Sequence, residues 1–224
     1  MDLEKNIAKV QEKIVKCVKD AGRKVEDIHL IAVTKYFGVE INEQLYDLGL
    51  REFGENRADI FLNKVEKLKG HQDIIWHFIG NLQRRKVKQV INKIDYFHAL
   101  DSLALAAEIE KRAEQKVKCF VEVNISGEES KHGFKADEVK TFIAELKNFN
   151  KIEVVGLLTM APLSASQEEL HQYFGHLKTL QEKISSLQIV YAPCTEVSMG
   201  MSQDFEIALL EKASYIRVGT ALYS

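Results

Sequence analysis

The 224-residue sequence has only three cysteines and two prolines. Cys17, Cys119 and Cys194 lie far apart and form no C-x-x-C pair, which excludes a dithiol motif or a paired-cysteine zinc motif. An odd, sparse cysteine set fits a reducing cytoplasm, the expected location. Pro162 and Pro193 leave long stretches in which helices can run unbroken. Excess charge of either sign is also missing: 31 basic residues face 33 acidic ones, a formal charge of −2. That balance excludes a surface built throughout to hold nucleic acid or an anionic membrane, and neither is expected as a partner. No apolar run approaches the roughly 18 residues of a membrane span. The opening segment MDLEKNIAKVQEKIVKCVKDAGRK alternates charge with aliphatics and has no apolar core of the kind that marks a secretory signal. There is no H-E-x-x-H, and Gly54 and Gly80 belong to no G-x-G-x-x-G, so a zinc protease and a dinucleotide fold are both unsupported. His171 and His176 are five apart on a predicted helix and share no face suited to a metal.

What is present is 46% hydrophobic and 29% charged sequence, the composition of a folded chain with ample core material. Against a prior of about 150 residues per domain, the length allows one generous domain or two cramped ones. Leu3, Ile7, Val10, Ile14, Cys17, Val18 and Ala21 recur at spacings of three and four, an amphipathic helix over 1–21 that stops at Gly22. From Ile28 onward, short apolar runs alternate with helix-length segments. Strands are expected at 28–34, 51–55, 73–80, 94–100, 116–125, 151–160, 195–200 and 214–223. Helices are expected at 39–49, 56–70, 83–93, 102–115, 135–149, 166–187 and 201–213. Eight strands, each of the first seven followed by a helix, imply a parallel sheet and the count of a (β/α)8 TIM barrel, with a doubly wound sheet as runner-up. With no linker or repeat, 1–224 reads as a single domain with one leading helix.

In such a barrel, chemistry belongs to the C-terminal ends of the strands and the loops that follow. Lys35 ends an otherwise uncharged strand and should project toward the mouth, where an amine can condense with a carbonyl; the bland alternative is a solvated strand-end lysine. The loops after strands seven and eight are where barrels commonly hold a phosphate, and Ser198, Gly219 and Thr220 have suitable donors there. Ser202 reads as the N-cap of the next helix. His77 reads as a hydrogen-bonded structural histidine, and Arg84-Arg85-Lys86 as a solvated helix face without the aromatics of a nucleic-acid site. The loop Ser130-Lys131-His132-Gly133 offers Lys131 as a second amine for transfer, with a solvated lysine as its ordinary reading. A lysine beside a phosphate nest describes a ligand with both a carbonyl and a phosphate, such as pyridoxal 5′-phosphate (PLP) or the sugar-phosphate substrate of a Schiff-base aldolase.

Six segments carry a resemblance to a known family: Ile31-Ala-Val-Thr-Lys35, Phe53-Gly-Glu-Asn-Arg57, His77-Phe-Ile-Gly-Asn-Leu-Gln83, Gly156-Leu-Leu-Thr-Met160, Ser198-Met-Gly-Met-Ser-Gln-Asp-Phe205 and Ile216-Arg-Val-Gly-Thr220. In this order along nearly the whole chain, they resemble the pyridoxal phosphate homeostasis proteins, also known as proline synthase co-transcribed homologues, which are similar to the N-terminal barrel of alanine racemase. The resemblance implies a fold-type III site with Lys35 as the Schiff-base lysine, Ser198, Gly219 and Thr220 on the phosphate, and Arg217 facing the pyridine nitrogen. Asn56 and Asn81 are matched positions that would line the pocket. A permanently cationic arginine disfavours protonation of the ring nitrogen and weakens the cofactor as an electron sink. The implied role is intracellular vitamin B6 homeostasis, sequestering PLP and delivering it to PLP-dependent apoenzymes without turnover, in a monomer. The alternative is an amino-acid racemase, which needs an acid/base opposite the lysine, and the few residues after strand eight are expected to be too short to supply one. The sequence departs from the family at Tyr36-Phe37, at Ala213 and at Ser224, none of them a proposed lysine or phosphate position.

Overall fold

The computed structural model describes residues 1–128 and 132–224. Helix α1 (Leu3–Asp20) starts where the Asp2 carboxylate accepts from the Lys5 N–H at 3.1 Å, and buries Leu3, Ile7, Val10, Ile14, Cys17 and Val18 as its spacing predicts. It ends at Gly22, whose φ of +67° is the left-handed conformation that closes a helix. Then follow β1 (His29–Val33), α2 (Val39–Asp47), β2 (Glu52–Glu55), α3 (Ala58–Lys67), β3 (Ile75–Phe78), α4 (Val87–Val90), β4 (Tyr96–Leu100) and α5 (Leu103–Arg112). The second half comprises β5 (Val117–Glu122), α6 (Val139–Glu145), β6 (Ile152–Leu158), α7 (Gln167–Ser185), β7 (Glu196–Met201), α8 (Phe205–Leu210), β8 (Tyr215–Val218) and α9 (Thr220–Tyr223). The eight strands close in sequence order into a parallel barrel, β8 pairing back onto β1. This is the expected (β/α)8 architecture.

Three expectations about elements need correction. The eighth strand does not run to residue 223: it stops at Val218, and Thr220–Tyr223 turns into α9 because the Leu222 N–H finds the Gly219 carbonyl. The basic helix over 83–93 is three short pieces, with α4 flanked by 3-10 turns at Arg84–Lys86 and Ile91–Lys93. The helix expected from 201 begins only at Phe205, so Ser202 is not its N-cap.

Most apolar side chains pack between the barrel and its helices. A smaller set, Ile31, Phe120, Val155, Leu158 and Tyr215, fills part of the barrel interior. TIM barrels are dominated inside by branched aliphatics. Here the remaining interior positions are polar: His77, His98, Ser198 and Arg217 are all buried. The leading helix is fixed to the opposite end of the chain by Asn6, whose amide donates to the carbonyls of Leu222 at 3.2 Å and Ser224 at 2.7 Å. Those two bonds satisfy carbonyls that a four-residue helix leaves unpaired.

Candidate functional site at the barrel mouth

Lys35 lies on the turn that follows β1, half-buried, with its ammonium 5.0 Å from the centroid of the Tyr36 ring. The backbone before it is clamped from below. The Lys64 ammonium donates to the Thr34 carbonyl at 2.9 Å and to Glu55 at 2.5 Å, and the Thr34 hydroxyl in turn donates to Glu55 and accepts from Asn42 at 3.1 Å. Lys64 is only 1% exposed and Glu55 is fully buried, so this is an ion pair out of water. Burial pushes the Lys64 amine below its ordinary pKa, and Glu55 pulls it back only in part. Sequence reading missed this lysine although its spacing from Ala58 and Phe61 puts it on the buried face of α3, because a lysine is ordinarily solvated. The nearby signal was the Glu of the Phe53–Arg57 motif, which needs a cation once buried.

Strands β1 and β8 are hydrogen-bonded neighbours, with Ile31 opposite Arg217 and Ala32 opposite Val218. This register brings Gly219 against Val33, two residues before Lys35. At that rim the N–H groups of Gly219 and Ala221 converge on one oxygen, the Ser202 hydroxyl, at 3.0 and 3.2 Å, while Thr220 is exposed beside them. Two backbone donors aimed at a single oxygen make an anion nest.

Ser198 is not gathered there. A register shift between Ser198 and Met201, at Gly200 with φ +92°, sets Ser198 opposite Tyr215 and carries it into the barrel interior. Its hydroxyl accepts from Arg217 at 2.6 Å and lies 3.1 Å from His98 Nδ1. The hydroxyl at the nest is therefore that of Ser202, whereas Ser198, expected there from the sequence, turns into the barrel interior. No spacing rule would have chosen between two serines four residues apart, because the bulge alone decides which one reaches the rim.

Arg217, 5% exposed, also donates to the Thr159 carbonyl at 3.0 Å. Burial lowers its pKa to about 10, against the opposing pull of Asp204 and Glu122, so it stays cationic at neutral pH. Glu122, at the end of β5, is pushed upward by burial and by Asp101, and its Oε2 has no hydrogen-bond partner among the described residues. Asn56 and Asn81 come together with Arg57, Phe78, Gln83 and Lys86 around a separate cavity of about 420 Å³. Gly80 permits the approach, since a side chain there would meet Asn56 at 2.6 Å. Lys35 is not among that cavity's walls.

At the other end of the barrel Glu52 accepts from His29 at 2.7 Å and lies 2.9 Å from His77 Nε2. Burial alone would raise its pKa, but the bonds from His29 and His77 hold it down to about 2. A carboxylate depressed from 4.5 contributes stability that is complete above that value and is lost as the pH falls toward 2, worth about 3 kcal/mol if the shift holds in full. Acid unfolding followed by circular dichroism should therefore steepen between pH 4.5 and 2, and Glu52→Gln should flatten that limb. An unchanged limb in the variant would show that the carboxylate does not carry it. His29 is raised, the bonds to Glu52 outweighing burial, so its share of the same pair is lost instead as the pH rises through its folded value.

Of the other sequence candidates, His171 pairs with Glu211 at 2.7 Å, Arg84 and Arg85 are exposed, and Lys131 lies outside the described residues. Among the described residues no cluster of three metal-ligating side chains occurs, and no helix is long and apolar enough to cross a membrane.

A family model described as alanine racemase, N-terminal domain, matches residues 4–224. A pyridoxal phosphate homeostasis protein of Aquifex aeolicus is 36% identical, over 100% of this chain and 98% of its own length. Among solved structures, PipY of Synechococcus elongatus with PLP bound superimposes over 100% of both chains with a TM-score of 0.86 at 26% identity. An alanine racemase of Clostridium difficile aligns over 94% of this chain but 54% of its own, with a TM-score of 0.71 at 18% identity, a likeness of fold alone.

Proposed function

The chain belongs to the pyridoxal phosphate homeostasis proteins within the alanine racemase N-terminal-domain family, and from that premise we propose that it binds PLP at the barrel mouth, covalently through Lys35, and serves to hold and deliver the cofactor rather than to turn over a substrate. The observation that carries this reading is the placement of a primary amine one strand away from a two-donor anion nest and a buried permanent cation. The donor set fits the cofactor. Gly219, Ala221 and Ser202, with the exposed Thr220 beside them, suit a phosphate, and the orphaned buried oxygen of Glu122 leaves a polar atom near the mouth awaiting a partner. When bound, PLP supplies an aldehyde that condenses reversibly with amines, a phosphate dianion and a ring nitrogen.

Each residue then has a separate task. Lys35 would hold the cofactor through its amine, and a reversible attachment would permit delivery to apoenzymes. The nest would orient the phosphate, with the Ser202 hydroxyl, whose oxygen accepts from Gly219 and Ala221, free to donate its proton to it. Arg217, which has only donors, would disfavour protonation of a ring nitrogen held against it and so disfavour carbanion chemistry. Asn56 and Asn81 line the separate cavity, whose walls do not include Lys35. A monomer in the reducing cytoplasm, with neither nucleic acid nor membrane as partner, completes the proposal. Its support is the near-zero net charge and the burial of all three free thiols.

Purified protein incubated with PLP and dialysed should keep a visible absorbance, and borohydride should fix one pyridoxyl group per chain by mass spectrometry. Failure to retain PLP overturns the proposal. Prolonged incubation of the loaded protein with L-alanine should leave its chirality unchanged, and reproducible racemisation would favour the enzyme reading.

A further inference from the structure

The polar side chains inside the barrel form one continuous line. Arg217 Nη1 is 2.6 Å from Ser198 Oγ, Ser198 Oγ is 3.1 Å from His98 Nδ1, His98 Nε2 is 2.9 Å from His77 Nδ1, and His77 Nε2 is 2.9 Å from Glu52 Oε2. The line runs from the mouth to the first residue of β2, the full depth of the barrel. Aromatic rings wall it off from water: His77 stacks on Tyr96 at 4.9 Å, and His98 stacks on Phe120 at 4.4 Å.

The two ends force its direction. An arginine has only donors, so Ser198 must accept from it, and an ionised carboxylate has only acceptors, so His77 must present a proton on Nε2 to Glu52. Burial strongly disfavours charge on either histidine, and the Glu52 carboxylate only partly offsets this at His77. A neutral His77 with its proton on Nε2 accepts at Nδ1. His98 must therefore donate from Nε2 and accept at Nδ1, which leaves the Ser198 proton to fill that last acceptor. With both rings neutral, every atom in the line is satisfied once, and no other arrangement of protons avoids two facing lone pairs.

We propose that Glu52, at the closed end of the barrel, sets the orientation of the Arg217 guanidinium at the mouth through this single-direction chain, which makes Glu52, His77, His98 and Ser198 positioning residues for Arg217. A barrel held only for stability would fill these positions with aliphatics. Two of the five arginine donors are directed at Ser198 and Thr159, and this pins the plane of the fork and aims the others. The value of that aim for the cofactor rests on the reading of Arg217 as the ring-facing residue, but the chain itself does not.

The test uses the full-length protein without cofactor, labelled with 15N in histidine and arginine. Near neutral pH, His77 and His98 should each show a protonated, pyrrole-type Nε2 and an unprotonated, pyridine-type Nδ1. Either one found as the opposite tautomer or as imidazolium overturns the inference. Glu52→Gln, remote from the mouth, should shift the Arg217 side-chain resonances and scramble the histidine tautomers. If that variant does not fold, Ser198→Ala cuts the line next to Arg217 and should shift the same resonances, with Ser198→Thr restoring them. Arg217 signals that stay unchanged in the folded variants overturn the inference. A second arm measures PLP retention, expected to fall about tenfold in either cutting variant, the scale on which supporting hydrogen bonds act at bound groups. Correct tautomers with no PLP retention by the wild type would sink the functional reading and leave this one standing. PLP retention with reversed tautomers would do the opposite.

Discussion

Lys35→Ala should abolish the borohydride-fixed adduct completely while leaving the protein folded. The wild-type side chain is half-buried, and its ammonium lies 5.0 Å from the centroid of the exposed Tyr36 ring. Its removal therefore breaks no buried bond, and a cost within about 0.5 kcal/mol is the ordinary result for such a position. Among the described residues the neighbouring lysine cannot take over. Lys64 is the other lysine at this end of β1, but it is 1% exposed and its ammonium is hydrogen-bonded to Thr34 and Glu55. Lys35→Arg should behave as the alanine variant does, because a guanidinium keeps its proton and offers no lone pair. Thermal melts alongside intact-mass spectra would separate loss of attachment from loss of fold. A variant that stays fully labelled would transfer the role to another lysine.

Lys64→Ala should cost far more stability than Lys35→Ala, although the two lysines serve the same turn. It strands the Glu55 carboxylate, fully buried, with Oε2 already lacking a partner. Breaking one side of a buried pair typically costs about 3–5 kcal/mol, which for a chain of this size lowers the melting temperature by about 10 °C or more. The Thr34 carbonyl also loses one of its two donors, keeping only the Phe37 N–H at 3.0 Å, so the turn carrying Lys35 loosens and PLP retention should fall with it. Replacing both partners, Lys64→Met with Glu55→Leu, should recover most of the stability, because neither charge is then buried alone. Recovery of stability without recovery of PLP retention would identify the clamp as a device for placing Lys35. If Lys64→Ala melts with the wild type, the pair is not the water-free contact its burial indicates.

Strand count and order were legible because a parallel strand covered on both faces reads as a short apolar run, and glycines such as Gly22 and Gly49 take positive φ where helices end. Lys35 was legible because a charge at the end of such a run has few places to go but the rim. The end of β8 was not: 214–223 is apolar enough to continue as a strand, and only the Gly219 carbonyl meeting the Leu222 N–H turns it into helix. The exchange of Ser198 for Ser202 was equally hidden, since it follows from a shift of register at Gly200 against a strand that the local sequence does not specify.

By itself, the sequence determined the barrel, the amine at its mouth and the kind of ligand these suit, because burial patterns and strand-end chemistry are local properties. Only the tertiary structure decided which hydroxyl meets the nest, that Lys64 and Glu55 clamp the turn from below, and that Glu52 and Arg217 are joined through the core. Those outcomes depend on register and on closure of β8 against β1, which bring together residues far apart in the chain. A polar side chain enclosed there must find its partner within hydrogen-bonding distance or bear the cost of desolvation.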